Sequence, residues 1–246
     1  MKTIMISFLK KIWKKEEFHP SFFLGIWINP SFITRRALLK GICEISQLMN
    51  EGKLLDVGCG SKPYEKMFDV EDYIGIDTKV SGHNHSNSKV DKFYDGKKIP
   101  FEDEFFENVF SSQVFEHVFN IDELFEEINR VLKSGGKLGF TCPFVWDEHE
   151  QPYDFWRYSS FGVERLLIAH GFKLVKLTKS TGYFEAVMQM LSAYIAQHVL
   201  PKNAYLKILL MPLLVGPVNI IAIVLSKVLP RNTNFYLDNI VIAEKL

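Results

Sequence analysis

Three acidic turns and one aromatic, ionisable loop carry the residue types in this chain that can do chemistry. The first turn is Asp56-Val57-Gly58-Cys59-Gly60. Leu54, Leu55 and Val57 supply a buried strand, and Gly58 and Gly60 remove side chains where backbone must come close to a ligand. Ser61-Lys62-Pro63-Tyr64-Glu65 then reads as a helix start, with Pro63 tolerated in a first turn. Strand, glycine turn and helix N-terminus together would cradle a nucleotide or a carboxylate. The second turn follows Tyr73-Ile74-Gly75-Ile76 and places Asp77 at a strand tip, where a carboxylate can accept both hydroxyls of a ribose. The third is Asp95-Gly96. The loop from Pro143 to Tyr158 brings Trp146, His149, Tyr153, Asp154, Trp156 and Arg157 into one short stretch. A hydroxyl acceptor needs a group to take its proton, and His149 is the candidate base. Trp146, Tyr153 and Trp156 suit stacking on a sugar or an aromatic ring. Asp154 and Arg157 either pair with each other to lock the loop or hold a polar substrate.

These residues need a frame, and the periodicity describes one. Strand and helix signals alternate from Leu54 to Cys142, which predicts an α/β fold with a mostly parallel sheet and helices on both faces. A helix is expected over residues 29–49, with Asn29 as N-cap and Pro30 at its first position. Residues 105–112 read as a strand ending in Ser111, Ser112 and Gln113. A helix follows over 120–133, with Asn120 and Glu123 as a capping box and Phe119 stapled onto Leu124. Ser134-Gly135-Gly136 is expected to stop it, and 137–143 to be the next strand. Another helix begins at Ser160 and is closed by Gly171. Residues 172–177 and 235–243 complete the strands.

The series Leu-Leu-Asp-Val-Gly-Cys-Gly, Gly-Ile-Asp, Asp-x-x-x-Ile-Pro-Phe, Phe-Glu-His-Val and Arg-Val-Leu-Lys-x-Gly-Gly resembles the class I S-adenosylmethionine-dependent methyltransferases over residues 53–172. Asn108 departs from that pattern, which has Asp at the start of the fourth strand. The resemblance implies a Rossmann-like sheet with an antiparallel last strand and S-adenosyl-L-methionine as cofactor. It implies that Gly58 and Gly60 approach the methionine portion and that Asp56 organises their loop. Asp77 would take the ribose hydroxyls, Asp95 would accept from the adenine amine with Gly96 offering a backbone amide, and Ser112 and Gln113 would line the methionine side. The phrase His-Glu-x-Pro-x-Asp-Phe-x-Arg-Tyr resembles a bacterial subgroup that accompanies surface-polysaccharide biosynthesis. It implies O-methylation of a sugar or lipid-linked glycan precursor. A quinone or lipid-ring methyltransferase is the alternative. A nicotinamide-dependent oxidoreductase would want a third glycine where Lys62-Pro63 stands, and intact acids at 56, 77 and 95 speak against a non-enzymatic scaffold.

Length and charge bound the rest. The chain has 246 residues, enough for one large domain with decorations, and its 29 basic and 29 acidic residues give no case for a nucleic-acid partner. Cys43, Cys59 and Cys142 are scattered, which suits a reducing, cytoplasmic setting and neither a disulfide framework nor a zinc spacing. No metal set is expected: His83 and His85, with Asn84 and Ser86, have no carboxylate beside them, and His117 reads as structural. Residues 1–15 place lysines between apolar positions at helical spacing, as in a surface helix packed on the domain or an interfacial helix drawn to anionic lipid, and not as in a signal peptide. Residues 208–229 are apolar apart from Lys227 and long enough to cross a bilayer. A single crossing would strand the last strand away from its sheet. With Pro212, Gly216 and Pro217 as interruptions, the expectation is a helical hairpin that lies on the domain or dips into a membrane leaflet, alongside the plainer possibility of a core or dimer helix pair. The expected organisation is an N-terminal helical segment over 1–50, a central domain over 51–181 and 232–246, and an apolar insert over 182–231. The oligomeric state stays open.

Overall fold

A computed structural model describes residues 16–79 and 88–246. The polar loop with His83 and His85 and the N-terminal stretch 1–15 lie outside the described residues. The chain forms two compact units, one of Gly41–Lys179 with Asp238–Leu246, the other of Met1–Lys40 with Ser180–Leu237.

The first unit carries a seven-stranded sheet in the order β3-β2-β1-β4-β5-β7-β6. Its strands are β1 Lys53–Val57, β2 Asp72–Thr78, β3 Lys92–Tyr94, β4 Phe106–Ser112, β5 Leu132–Pro143, β6 Phe172–Lys179 and β7 Asp238–Lys245. The first five run parallel to one another, and β7 inserts antiparallel between β5 and β6. Strand order reverses between β1 and β4, so the crevice above their carboxyl ends is where this architecture binds ligands. The near-continuous apolar runs of the central strands follow from burial on both faces. Leu55, Val57, Ile76, Val109, Leu138, Phe140 and Val241 share one core with Phe125 and Ile128 of a flanking helix. Gly139 is glycine because a Cβ there would sit 2.5 Å from Ile45 Cγ2. The departure at Asn108 is structural: it is buried, and its Nδ2 donates to the Glu51 carbonyl at 2.8 Å.

The helices are α1 Gly25–Ile28, α2 Phe32–Leu48, α3 Ile121–Val131, α4 Ser160–Ala169, α5 Tyr183–Tyr194 and α6 Ala204–Leu225. Three local expectations need correction. Asn120 makes no side-chain cap to the backbone of α3; its Nδ2 donates instead to Glu123. Phe119 does not staple onto the helix but stays exposed and meets Phe155 edge-on at 5.4 Å. Gly135, at φ 72°, does not end α3, which stops at Val131; it lies within β5. For Phe119 a contact distant in sequence outweighs the local signal.

The second unit is helical. Pro212 and Pro217 do not interrupt α6, which is continuous over 22 residues. Two missing N–H donors each cost an intrahelical bond, and packing along the helix offsets that. Gly216 admits the Trp27 ring, which would lie 2.4 Å from any Cβ. Asn219 is fully buried, and its Nδ2 donates to the carbonyls of Ile26 at 2.9 Å and Asn29 at 3.1 Å. The partner arm of the hairpin is α5, prolonged by a π-turn over Ile195–Val199. Among the described residues α6 is the one helix long and apolar enough to cross a membrane. Replacing Asn219 with Leu removes one donor from the Ile26 carbonyl and one from the Asn29 carbonyl, which keeps the Phe32 N–H. We expect a loss of about 2 kcal/mol from the stability of this unit, read as a lower urea midpoint; an unchanged midpoint would show that the amide anchors nothing.

Candidate active site

The glycine turn at the end of β1 has the geometry its residue types demand. Gly58 sits at φ 73°, and a Cβ there would come within 2.4 Å of Val114. The N–H groups of Gly58 and Cys59 donate to the Ile76 carbonyl at 2.9 and 3.1 Å, which ties the turn to β2. Gly60 is also left-handed, at φ 49°, but a Cβ there would meet nothing within 4 Å among the described residues. Gly58 is therefore a packing glycine, and Gly60 keeps an open space. Its N–H donates to Asp77 Oδ2 at 3.2 Å, while Asp77 Oδ1 accepts from the Thr78 N–H at 2.8 Å. The two acidic turns thus meet at adjacent strand tips.

The expected helix after this turn is absent. A single 3₁₀ turn over Glu65–Met67 takes its place. Lys62, at φ 51°, stands in the left-handed region immediately before Pro63, so no helix can start there. The chain drops at once onto the sheet, where Phe68 packs on Phe110 with ring centroids 4.8 Å apart. A turn this short presents no helix-dipole cradle, and backbone amides and carboxylates do the work instead. Lys62 is buried and ion-paired to Asp91, which also accepts the Gly75 N–H at 2.6 Å. Nothing local in the sequence announces that pairing.

Asp56 lies below the loop, buried, with Oδ2 accepting the Tyr73 hydroxyl at 2.6 Å. Burial pushes its carboxyl up to about 7, against the opposing pull of the Tyr73 hydroxyl. A folded-state pKa above the ordinary 3.8 means that the unfolded chain ionises first. The contribution is intact below about pH 4 and is lost as pH rises towards 7. Asp56→Asn removes that slope, so the variant should gain stability relative to the wild type as pH rises from about 4 to about 7 in thermal melts; parallel curves would contradict the buried, protonated acid.

Asp95 is exposed, and its Oδ1 accepts the N–H groups of Lys97 at 2.9 Å and Lys98 at 3.1 Å. Those donors hold its carboxyl below the usual range. Gly96 follows at φ 79°. At the tip of β4, Ser111 donates to the Val57 carbonyl at 2.9 Å. Ser112 and Gln113 both reach the Thr141 hydroxyl, at 3.0 and 3.2 Å. Thr141, which the sequence reading missed, therefore stitches β4 to β5 beside the turn.

The loop after β5 is organised around Asp154 and Arg157. Asp154 accepts from Arg157 Nη1 at 2.6 Å and Nη2 at 2.8 Å, and from the His149 backbone N–H at 2.9 Å. The guanidinium and these hydrogen bonds hold the Asp154 carboxyl down to about 2, although its burial pulls the other way more strongly than any one of them. Arg157 also donates to the carbonyls of Trp146, Asp147 and Trp156. Its five N–H groups are all spent inside the loop. His149 Nδ1 lies 3.1 Å from the Asp147 carbonyl and 3.3 Å from Asp154 Oδ2. The loop is fastened to residues 115–118: Phe155 and Trp156 donate backbone N–H groups to the Glu116 carbonyl, the Trp156 indole donates to Val118, and the Tyr158 hydroxyl donates to Phe115. Trp146 and Tyr153 are half-buried in it. The fold therefore brings Asp56, Gly58, Gly60 and Asp77 together at adjacent strand tips. It gathers Trp146, His149, Tyr153, Asp154 and Arg157 in a second cluster tied to the segment after β4.

Residues 55–140, which span the glycine turn, both strand-tip acids and the β4–β5 core, match the family described as methyltransferase domain. This stretch is a class I S-adenosylmethionine-dependent methyltransferase domain. An uncharacterized protein of Methanocaldococcus jannaschii is 27% identical over 143 residues, covering 53% of this chain and 69% of that protein. The sarcosine/dimethylglycine N-methyltransferase of Aphanothece halophytica is 29% identical over 159 residues, covering 57% of this chain and 56% of the enzyme. The crystal structure of Haemonchus contortus phosphoethanolamine N-methyltransferase 2 in complex with S-adenosyl-L-methionine superposes with a TM-score of 0.54 at 17% identity, covering 94% of this chain and 59% of that one. The chain thus spans little more than half the length of either named enzyme. S-adenosylmethionine is the cofactor of the methyltransferase domain. The residues fit it: Gly60 leaves space that a side chain would fill, and Asp77 keeps lone pairs beyond its two backbone donors.

Proposed function

We propose that the chain methylates a hydroxyl of a sugar or lipid-linked glycan precursor, with His149 acting on the acceptor. S-adenosylmethionine supplies an electrophilic methyl group on a sulfonium. In this reading Gly58, Gly60 and Asp77 hold the cofactor, with Asp56 beneath the turn and Asp95, Gly96, Ser112 and Gln113 around it. The observation that carries the acceptor side is the pairing of His149 with Asp154. Both partners of Nδ1 are acceptors, so Nδ1 carries the proton and Nε2 the lone pair. An amine acceptor, such as those in the names of the two enzymes above, needs no such group once neutral; a hydroxyl does. Trp146 and Tyr153 offer stacking faces, and Asp154 and Arg157 serve recognition by holding the loop that presents them. Release of S-adenosylhomocysteine should appear with nucleotide or lipid-linked sugars and not with sarcosine, and His149→Ala should lower turnover by about 10²-fold or more with cofactor affinity unchanged. Turnover with sarcosine alone would overturn the assignment.

A quinone or lipid-ring acceptor is the second reading, supported by the apolar surface of the helical unit. Leu209, Leu213 and Tyr205 of α6 and Phe23 before α1 are exposed, an arrangement suited to contact with the cytoplasmic membrane face. Feeding demethylated quinones in the same assay separates the two.

A further inference from the structure

One group of polar atoms beside the acceptor loop has no use so far. Glu116 is fully buried, and among the described residues neither oxygen of its carboxyl group accepts a hydrogen bond. A buried acid without donors is an unfavourable arrangement that calls for a counter-charge or a ligand. Burial, helped by the nearby Asp238 and Asp154 carboxylates, pushes this carboxyl up to about 8. His117 follows directly. Its Nδ1 lies 2.7 Å from the Tyr153 carbonyl, and a carbonyl can only accept. Nδ1 therefore carries the proton, and the lone pair is on Nε2, 3.9 Å from Glu116 Oε1 and 3.8 Å from Glu150 Oε1. His149 is fixed in the same tautomer by Asp147 and Asp154. The two imidazoles meet edge to face with centroids 4.7 Å apart. One ligand atom from each of Glu116, His117 and His149 falls within 4.8 Å of the others.

We infer that Glu116, His117 and His149 bind a divalent transition-metal cation of the zinc class. Two neutral imidazole nitrogens and one carboxylate suit Zn²⁺ and its first-row neighbours better than Mg²⁺ or Ca²⁺, which prefer oxygen sets. The supporting shell points the same way. Each histidine gives its other ring N–H to a carbonyl or carboxylate, the arrangement that orients a metal-bound imidazole. Three protein ligands leave at least one coordination position open, as in catalytic rather than structural zinc sites. This deepens the proposed function and rests on it in one respect: the open position takes the acceptor oxygen. His149 would then act on the hydroxyl through the cation, which would lower the pKa of the oxygen it ligates so that the proton passes to solvent water before the methyl leaves the sulfonium, rather than as a bare base. The expectation of no metal came from reading neighbours in sequence; the fold brings His149 in from a separate loop.

The test uses the whole chain, stripped with EDTA and dialysed, and titrates it with ZnCl₂ by calorimetry. One equivalent should bind with a Kd of about micromolar or tighter. Glu116→Gln, which keeps the shape of the side chain, and His149→Ala should each weaken binding at least tenfold. Addition of CoCl₂ to the wild type should give the visible absorption of a nitrogen- and oxygen-ligated Co²⁺, reduced in either variant. S-adenosylhomocysteine is titrated in parallel and should bind all three proteins alike. Wild-type protein that binds the cofactor product but no Zn²⁺ or Co²⁺ would overturn the metal site and leave the bare base at His149. Zn²⁺ binding undiminished in both variants would overturn it too. Failure of the cofactor product to bind the wild type would instead strike at the methyl-transfer reading.

Discussion

Asp77→Ala should weaken S-adenosylhomocysteine binding by about 100-fold. The carboxylate holds two backbone donors, Gly60 N–H and Thr78 N–H, and is barely exposed at the tip of β2. It has a lone pair to spare on each oxygen, directed by those two bonds. In the proposed pose these accept the ribose hydroxyls, and hydrogen bonds to a charged acceptor contribute about 1.5–3 kcal/mol each. Two of them account for a loss of roughly 3 kcal/mol, which is about two orders of magnitude in Kd. Part of the loss would come from Gly60, whose left-handed backbone is no longer fixed by an acceptor. Asp77→Asn separates the contributions, because its amide oxygen can still accept from Gly60 while the charge is gone; it should fall between the wild type and the alanine variant. Calorimetry at a pH near 7.5 reads both. Binding of the alanine variant within threefold of the wild type, at an unchanged melting temperature, would remove Asp77 from the cofactor site.

The parts of this architecture that were legible in the chain are those with local causes. Apolar runs of strand length separated by helical stripes dictate a parallel sheet, because no other layer covers both faces of such strands. Gly58 and Asp77 were legible for a similar reason: a residue that must adopt positive φ, and an acid that closes a buried strand, each announce themselves within a few positions. What stayed hidden depends on distant contacts. Lys62 stands where a third glycine would let a helix pack close to its strand, and its pairing with Asp91 and close approach to Gly75 accompany a 3₁₀ turn instead. Pro212 and Pro217 read as breaks until the Trp27 ring against Gly216 and the Asn219 anchor show what holds α6 straight through them. Glu116 looks like an ordinary turn residue in Phe-Glu-His-Val, and only its burial beneath the acceptor loop makes it chemistry.

Arg157→Ala should destabilise the chain by about 3 kcal/mol and open residues 146–158 to proteolysis while leaving cofactor affinity within twofold. The side chain is the hub of its loop, with two bonds to Asp154 and one to each of three carbonyls. Asp154 is nearly inaccessible, at 3% side-chain exposure, so truncating its partner leaves a buried charge whose remaining ligands are the His149 backbone N–H and ring. Removing one member of a buried pair costs about 3–5 kcal/mol, whereas an exposed pair contributes under about 1. Arg157 is a quarter exposed, which places the expected cost at the lower end of that range. Lysine is no rescue here. It offers three donors on a flexible stem and cannot span both Asp154 oxygens and the three carbonyls at once, so Arg157→Lys should retain less than half of the stability difference. The cofactor turn lies on β1 and β2 and takes part in none of these hydrogen bonds, which is why S-adenosylhomocysteine affinity serves as the control. A variant as stable and as protease-resistant as the wild type would mean that the guanidinium is free to leave the loop, and would return Arg157 to the acceptor as a direct ligand.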